Sequence, residues 1–146
     1  MSYVDNSLIP DEQVAFRTRL HLVIFLPPIL LLGISVLLFA YGMALGGEAL
    51  LAVALLWGLA KYVDYASSEF AVTNKRVIIK VGIVRRRTVE MLNTKVEAIA
   101  VNQGIIGRIL GYGNIVVTGT GGTNEPFNGI SSPLEFRRAV QAHSSP

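Results

Sequence analysis

Cysteine is absent from the chain, and that excludes disulfides, thiolate metal sites and cysteine nucleophiles. Histidine is nearly absent. His21 precedes a long apolar run and His143 lies close to the C-terminus, and neither has an acid at ligand or triad spacing. The carboxylates Glu69, Glu90, Glu97, Glu125 and Glu135 are scattered, mostly beside basic residues, as on solvated faces. No metal or cofactor site and no enzymatic activity are expected. Charge is also scarce. Only 16% of the residues are charged, against about 25% in soluble domains, while 51% are hydrophobic and mean hydropathy is +0.50.

The apolar residues are concentrated between Leu22 and Ala60, where Glu48 is the only charged side chain. Leu22 to Tyr41 (LVIFLPPILLLGISVLLFAY) matches the about 20 apolar residues that cross a hydrocarbon core. Pro27 and Pro28 lie inside it, and membrane helices tolerate proline where neighbours satisfy the freed carbonyls. Gly42 to Gly47 reads as a flexible connection. Ala49 to Ala60 follows, a run too short to span alone and adequate only with its flanks. Lys61 can snorkel, and Trp57, Tyr62 and Tyr65 suit an interfacial aromatic belt.

A cleaved signal peptide fits poorly, because the run is too long and Asp5, Asp11 and Glu12 precede it. A buried soluble hairpin fits poorly too, because so short a chain cannot cover two helices that are apolar all round. The expectation is a transmembrane hairpin over residues 21–65. Arg17 and Arg19 lie before it, Lys61, Lys75, Arg76 and Lys80 after it, and no basic residue lies in the loop. The positive-inside rule therefore places both termini in the cytoplasm. Residues 1–20 form a cytoplasmic N-terminal segment.

From Ala66 the chain becomes β-rich. Glu69–Thr73, Arg76–Gly82, Arg87–Leu92, Lys95–Val101 and Asn114–Thr120 are short, rich in β-branched residues and separated by turn signals. They imply an antiparallel sheet curling into a small barrel or sandwich, with Phe127–Ile130 as a further short strand. Gly104–Leu110 reads as one or two helical turns. Ser132, Pro133 and Glu135 read as a capping box with proline at the first helical position. The helix they open carries Phe136, Ala139 and Val140 on one stripe, which should close the end of the sheet. His143 to Pro146 reads as a frayed tail. Gly119-Thr120-Gly121-Gly122-Thr123 lacks the Lys-Ser/Thr ending of a phosphate loop and reads as a hairpin turn.

AVTNKRVIIKVGIVRRRTVEM (Ala71 to Met91), KVEAIAVNQGIIGRILGYGNIVV (Lys95 to Val117) and GTGGTNEPFNGISSPLEFRRAV (Gly119 to Val140) resemble the bacterial pleckstrin-homology (PH) domain of YdbS-like membrane proteins. The likeness runs from about Glu69 to Gln141, and the preceding hairpin fits the family arrangement. It implies a membrane α-helical hairpin joined to a β-rich PH-like split barrel over residues 66–146, with a C-terminal capping helix. It also implies self-association.

The basic turn is the most informative polar feature. Arg85, Arg86 and Arg87 sit between two strands, close in sequence to Lys75, Arg76 and Lys80, and the β-rich part carries ten basic residues against five glutamates. Held at a membrane, such a surface faces anionic headgroups, each basic side chain contributing on the order of 1 kcal/mol. A solvated turn that merely enforces topology explains the arginines equally well. Nucleic acid is a poor partner, because no stacking aromatics are interleaved with the cluster. The expected function is a non-enzymatic interaction module at the inner face of a bacterial cytoplasmic membrane. It would bind itself, a partner protein or anionic lipid. The alternative is an accessory subunit of a larger membrane complex.

Overall fold

In a computed structural model that describes residues 2–83 and 85–144, the N-terminal segment is built into the domain. It forms a short helix, α1 (Tyr3–Ser7), and a strand, β1 (Val14–Thr18). A 3-10 turn over Leu22–Phe25 then leads into helix α2 (Leu26–Ala40), followed by helix α3 (Ala44–Ser67). Strands β2 (Glu69–Thr73), β3 (Arg76–Val81), β4 (Arg87–Leu92) and β5 (Val96–Asn102) come next. Helix α4 (Ile105–Leu110), strands β6 (Tyr112–Gly119) and β7 (Thr123–Ser131), and helix α5 (Pro133–Ser144) complete the order.

The hairpin departs from its sequence pattern in two places. Pro27 and Pro28 occupy the first turn of α2, where a missing N–H leaves no ladder bond unmade, so they start the helix without kinking it. The expected Gly42–Gly47 loop is shorter than read, because Ala44–Gly47 is already helical. Gly42 takes φ 77° in the turn, and a Cβ on Gly47 would meet the Phe39 ring at 3.0 Å. Ser35 Oγ donates to Gly47 O at 2.7 Å in a fully buried contact. These close approaches favour helix over an open loop despite the cost of glycine.

With 24 residues, α3 is about 36 Å long, more than the ~30 Å hydrocarbon core, because residues 44–47 and 61–67 on either side of the apolar run are helical with it. The spans Leu22–Ala40 and Ala44–Ser67 are both long and apolar enough to cross a membrane. Only 11% of each apolar window is buried in the protein, whereas the core helix of a soluble fold is mostly buried.

Among the described residues, seven strands make two antiparallel sheets in the orders β1-β2-β3-β4 and β5-β6-β7. The hairpin is inserted between β1 and β2, which pair across it with Phe16 opposite Val72 and Thr18 opposite Phe70. The sheets do not close into a barrel. One bridge, Leu20 to Ile130, ties the continuation of β1 to β7. Alternation sends Phe70, Val72, Val77 and Ile79 inward from the first sheet against Ile115, Val117, Phe127 and Ile130 of the second. Phe70 and Phe127 meet edge to face at 5.8 Å. On the outer face of the first sheet Ala71 and Ile78 are sealed by Val4 of α1, which explains why β2 is buried on both faces.

Helix α5 closes the open end, with Phe136 and Val140 buried in the core and Ala139 packed against it. Its start differs from the expected capping box. Ser132 has φ 51°, outside the extended region an N-cap adopts, and no side-chain cap by Ser132 or Glu135 is found among the described residues. The first turn is closed instead by Phe136 N–H donating to Ser132 O at 3.1 Å. His143 and Ser144 are helical; the rest of the expected tail, residues 145–146, lies outside the described residues. Gly121 and Gly122 turn the β6–β7 hairpin at φ 98° and 77°, and β7 extends well beyond the expected Phe127–Ile130.

Candidate anion-binding cleft

Strand register separates the basic residues that are close in sequence. Glu69 opposes Lys80 and Val72 opposes Val77, so the β2–β3 turn at Asn74-Lys75 and the β3–β4 turn around Arg85 lie at opposite ends of the hairpin they share. The five residues of β2 put about 17 Å between those ends.

The far end is structural. Lys75 Nζ donates to Pro10 O at 2.9 Å. Arg76 is only 16% exposed and pairs with Glu12 at 3.0 Å and Glu90 at 2.6 Å, with a further bond to Ser7 O. The Glu12 side chain is wholly buried. Its burial opposes ionisation, but bonds from Arg76, the Ile9 N–H and the Thr73 hydroxyl outweigh that cost and hold its pKa below the usual glutamate value. Arg76 thus fastens the N-terminal segment to β3 and is no free ligand contact.

The near end adjoins the C-terminal part of α3. A cleft of about 640 Å³ opens there, with Lys61, Asp64, Arg85 and Arg87 as its charged lining and Phe70 and Phe127 among its apolar walls. The turn depends on Gly82, which has φ 76° and whose absent Cβ would lie 2.9 Å from Arg85 O and 3.8 Å from Asp64 Oδ1. Lys61 reaches Asp64 at 3.9 Å. Arg87 pairs with Glu125 and lies 5.3 Å over the Phe127 ring. Arg85 is exposed. Lys80 and Arg86 turn to another face, where both sit over the Tyr3 ring, at 5.1 and 5.2 Å. The structure therefore brings Arg85 and Arg87 together with Lys61, which the sequence places in a different element.

The aromatic residues at the end of α3 divide as well. Trp57 and Tyr62 are exposed, at 42% and 59%. Tyr65 turns inward, packing on the core and on Phe25 with ring centroids 5.7 Å apart. Sequence reasoning missed Tyr3, Glu12 and Glu125 as partners of the basic side chains. Glu12 and Arg76 are 64 residues apart, and no local pattern marks such a pair. Among the described residues no cluster of histidine and carboxylate side chains could hold a metal ion.

The cleft joins three cations to one carboxylate, Asp64, and an apolar wall, and Glu125 pairs with Arg87 beside it. It can accept an anionic group with an apolar attachment. No curated protein and no solved structure matches the chain. A family model does, over residues 21–144, a span that takes in the hairpin, β2 to β7 and the whole of α5: the chain belongs to the bacterial PH domain family.

Proposed function

We propose that this protein is a non-enzymatic, membrane-anchored interaction module whose PH-like domain receives an anionic lipid headgroup at the inner leaflet of a bacterial cytoplasmic membrane. The hairpin crosses the bilayer, and both termini lie in the cytoplasm with the basic residues that flank it. One observation carries the reading. Lys61, Arg85 and Arg87 converge on a cleft at the end of α3 where that helix leaves its apolar stretch, the depth at which headgroup phosphates lie. Asp64 and Glu125 offset part of the charge, leaving a site that favours one phosphate over a broad polyanion. Arginine adds the fork geometry that phosphate oxygens match.

The test uses the full chain in mild detergent, with native mass spectrometry counting retained lipid from equimolar phosphatidylglycerol and phosphatidylcholine. Phosphatidylglycerol is expected to be retained several-fold over phosphatidylcholine, and Lys61→Ala with Arg85→Ala is expected to abolish that preference. Equal retention of both lipids by the unmodified chain would reject the lipid reading.

A second reading, an accessory subunit of a larger membrane complex, is favoured by a different feature. A shallow apolar groove of about 440 Å³ runs along the hairpin between Pro28, Leu32, Ala54 and Gly58. Small residues there allow close approach of another helix, whereas Ser35 is already used inside the hairpin.

A further inference from the structure

Helix α4 is six residues long, and four of them are large aliphatic side chains turned outward. Ile105 is 79% exposed, Ile106 64%, Ile109 77% and Leu110 53%. A soluble domain scatters such residues singly; a contiguous group marks a contact. The one α4 residue packed inward is Gly107, whose absent Cβ would lie 2.6 Å from Tyr112 O, so the helix rests on the start of β6. Its position says what the contact is. The Tyr112 ring stacks on His21 at 5.1 Å, and His21 accepts from Val23 N–H to cap the 3-10 turn that opens the hairpin. The exposed face of α4 is thus one aromatic stack away from the point where the apolar hairpin begins.

We propose that α4 dips into the boundary between headgroups and acyl chains, making a second membrane contact that holds the domain in one orientation against the bilayer. This rests on the hairpin spanning that bilayer. Arg108, the only charge on α4, supplies the polar side of an interfacial helix, with the isoleucines below it. A second copy of the chain is a poorer occupant. Four side chains on fewer than two turns fall short of the about 800 Å² per partner that a stable interface buries. The proposal differs from headgroup binding in the cleft, since α4 shares no residue with it.

The absence of cysteine makes the test direct. Ile106→Cys and Ile109→Cys, each labelled with a polarity-sensitive fluorophore, report α4 in the full chain reconstituted into phosphatidylglycerol–phosphatidylcholine vesicles. Leu37→Cys reports the C-terminal half of α2, and Thr120→Cys reports the β6–β7 turn at the other end of β6. Nitroxide-labelled lipid is expected to quench positions 37, 106 and 109 several-fold more than 120, with unchanged melting temperatures showing intact folds. Quenching at 37 with 106 and 109 at the level of 120 overturns the proposal and leaves the hairpin standing. No quenching at 37 removes the hairpin reading and the proposal together. Shielding of 106 and 109 from aqueous iodide without lipid quenching assigns α4 to a protein contact and likewise overturns it.

Discussion

Glu12 carries its carboxylate into a position with no solvent exposure, where Arg76, Thr73 and the Ile9 N–H all donate to it. Removing one partner of a buried pair leaves the other charged and undersolvated. Arg76 keeps Glu90, which places Glu12→Ala at about 3 kcal/mol of lost stability, the low end for such pairs. Chemical denaturation of the full chain in micelles measures it.

The same groups set a pH dependence. Burial opposes ionisation of Glu12 and Glu69, but the hydrogen bonds each accepts outweigh it, and both pKa values are lowered from the ordinary 4.5. A carboxylate with a lowered folded pKa contributes stability that is complete above its unfolded value and is lost as pH falls through the folded one. The Glu69 carboxylate accepts from Ser2 Oγ and from the N–H groups of Tyr3 and Val4. Below pH 4.5, therefore, α1 and β1 are expected to loosen first. Amide exchange should rise there before it rises in β5 to β7.

At the scale of elements, β6 meets the end of β5 and the start of α5 through glycine. A Cβ on Gly113 would lie 2.6 Å from Gln103 Cγ, 2.9 Å from Asn102 O and 3.1 Å from Pro133 Cγ. The glutamine can move aside, but the backbone oxygen belongs to β5 and the proline opens α5. Gly113→Ala is expected to cost about 1–3 kcal/mol, as overpacking does, read as a lower melting temperature. The hairpin was legible at this scale because an uncharged run about 20 residues long has few other homes. The extent of α3 was not. Gly46 and Gly47 read locally as a loop, and only the approach of Phe39 and Ser35 from α2 makes them helical.

For the whole molecule, the PH-like fold is discontinuous in sequence, with the hairpin inserted behind its first strand. Removing residues 2–18 would strip β1 from the edge of β2 and uncover Ala71 and Ile78. An unpaired strand edge beside an exposed apolar face invites aggregation. A chain starting at Arg19 is expected to elute as aggregate in size-exclusion chromatography in mild detergent, where the full chain elutes as a discrete species.

By itself the sequence determined whatever depends on neighbours in the chain. The two apolar runs, the β-branched strands after Glu69, the short helix at Ile105 and the stripe of Phe136, Ala139 and Val140 are periodic signals read within one or two turns. Tertiary structure decided whatever depends on partners far apart. β1 becomes a strand because β2, some 55 residues later, offers an edge. The basic residues split because strand register sends Lys75 and Arg76 to one end and Arg85 and Arg87 to the other. Local preference fixes which elements form, whereas pairing across a long insertion fixes which side chains meet.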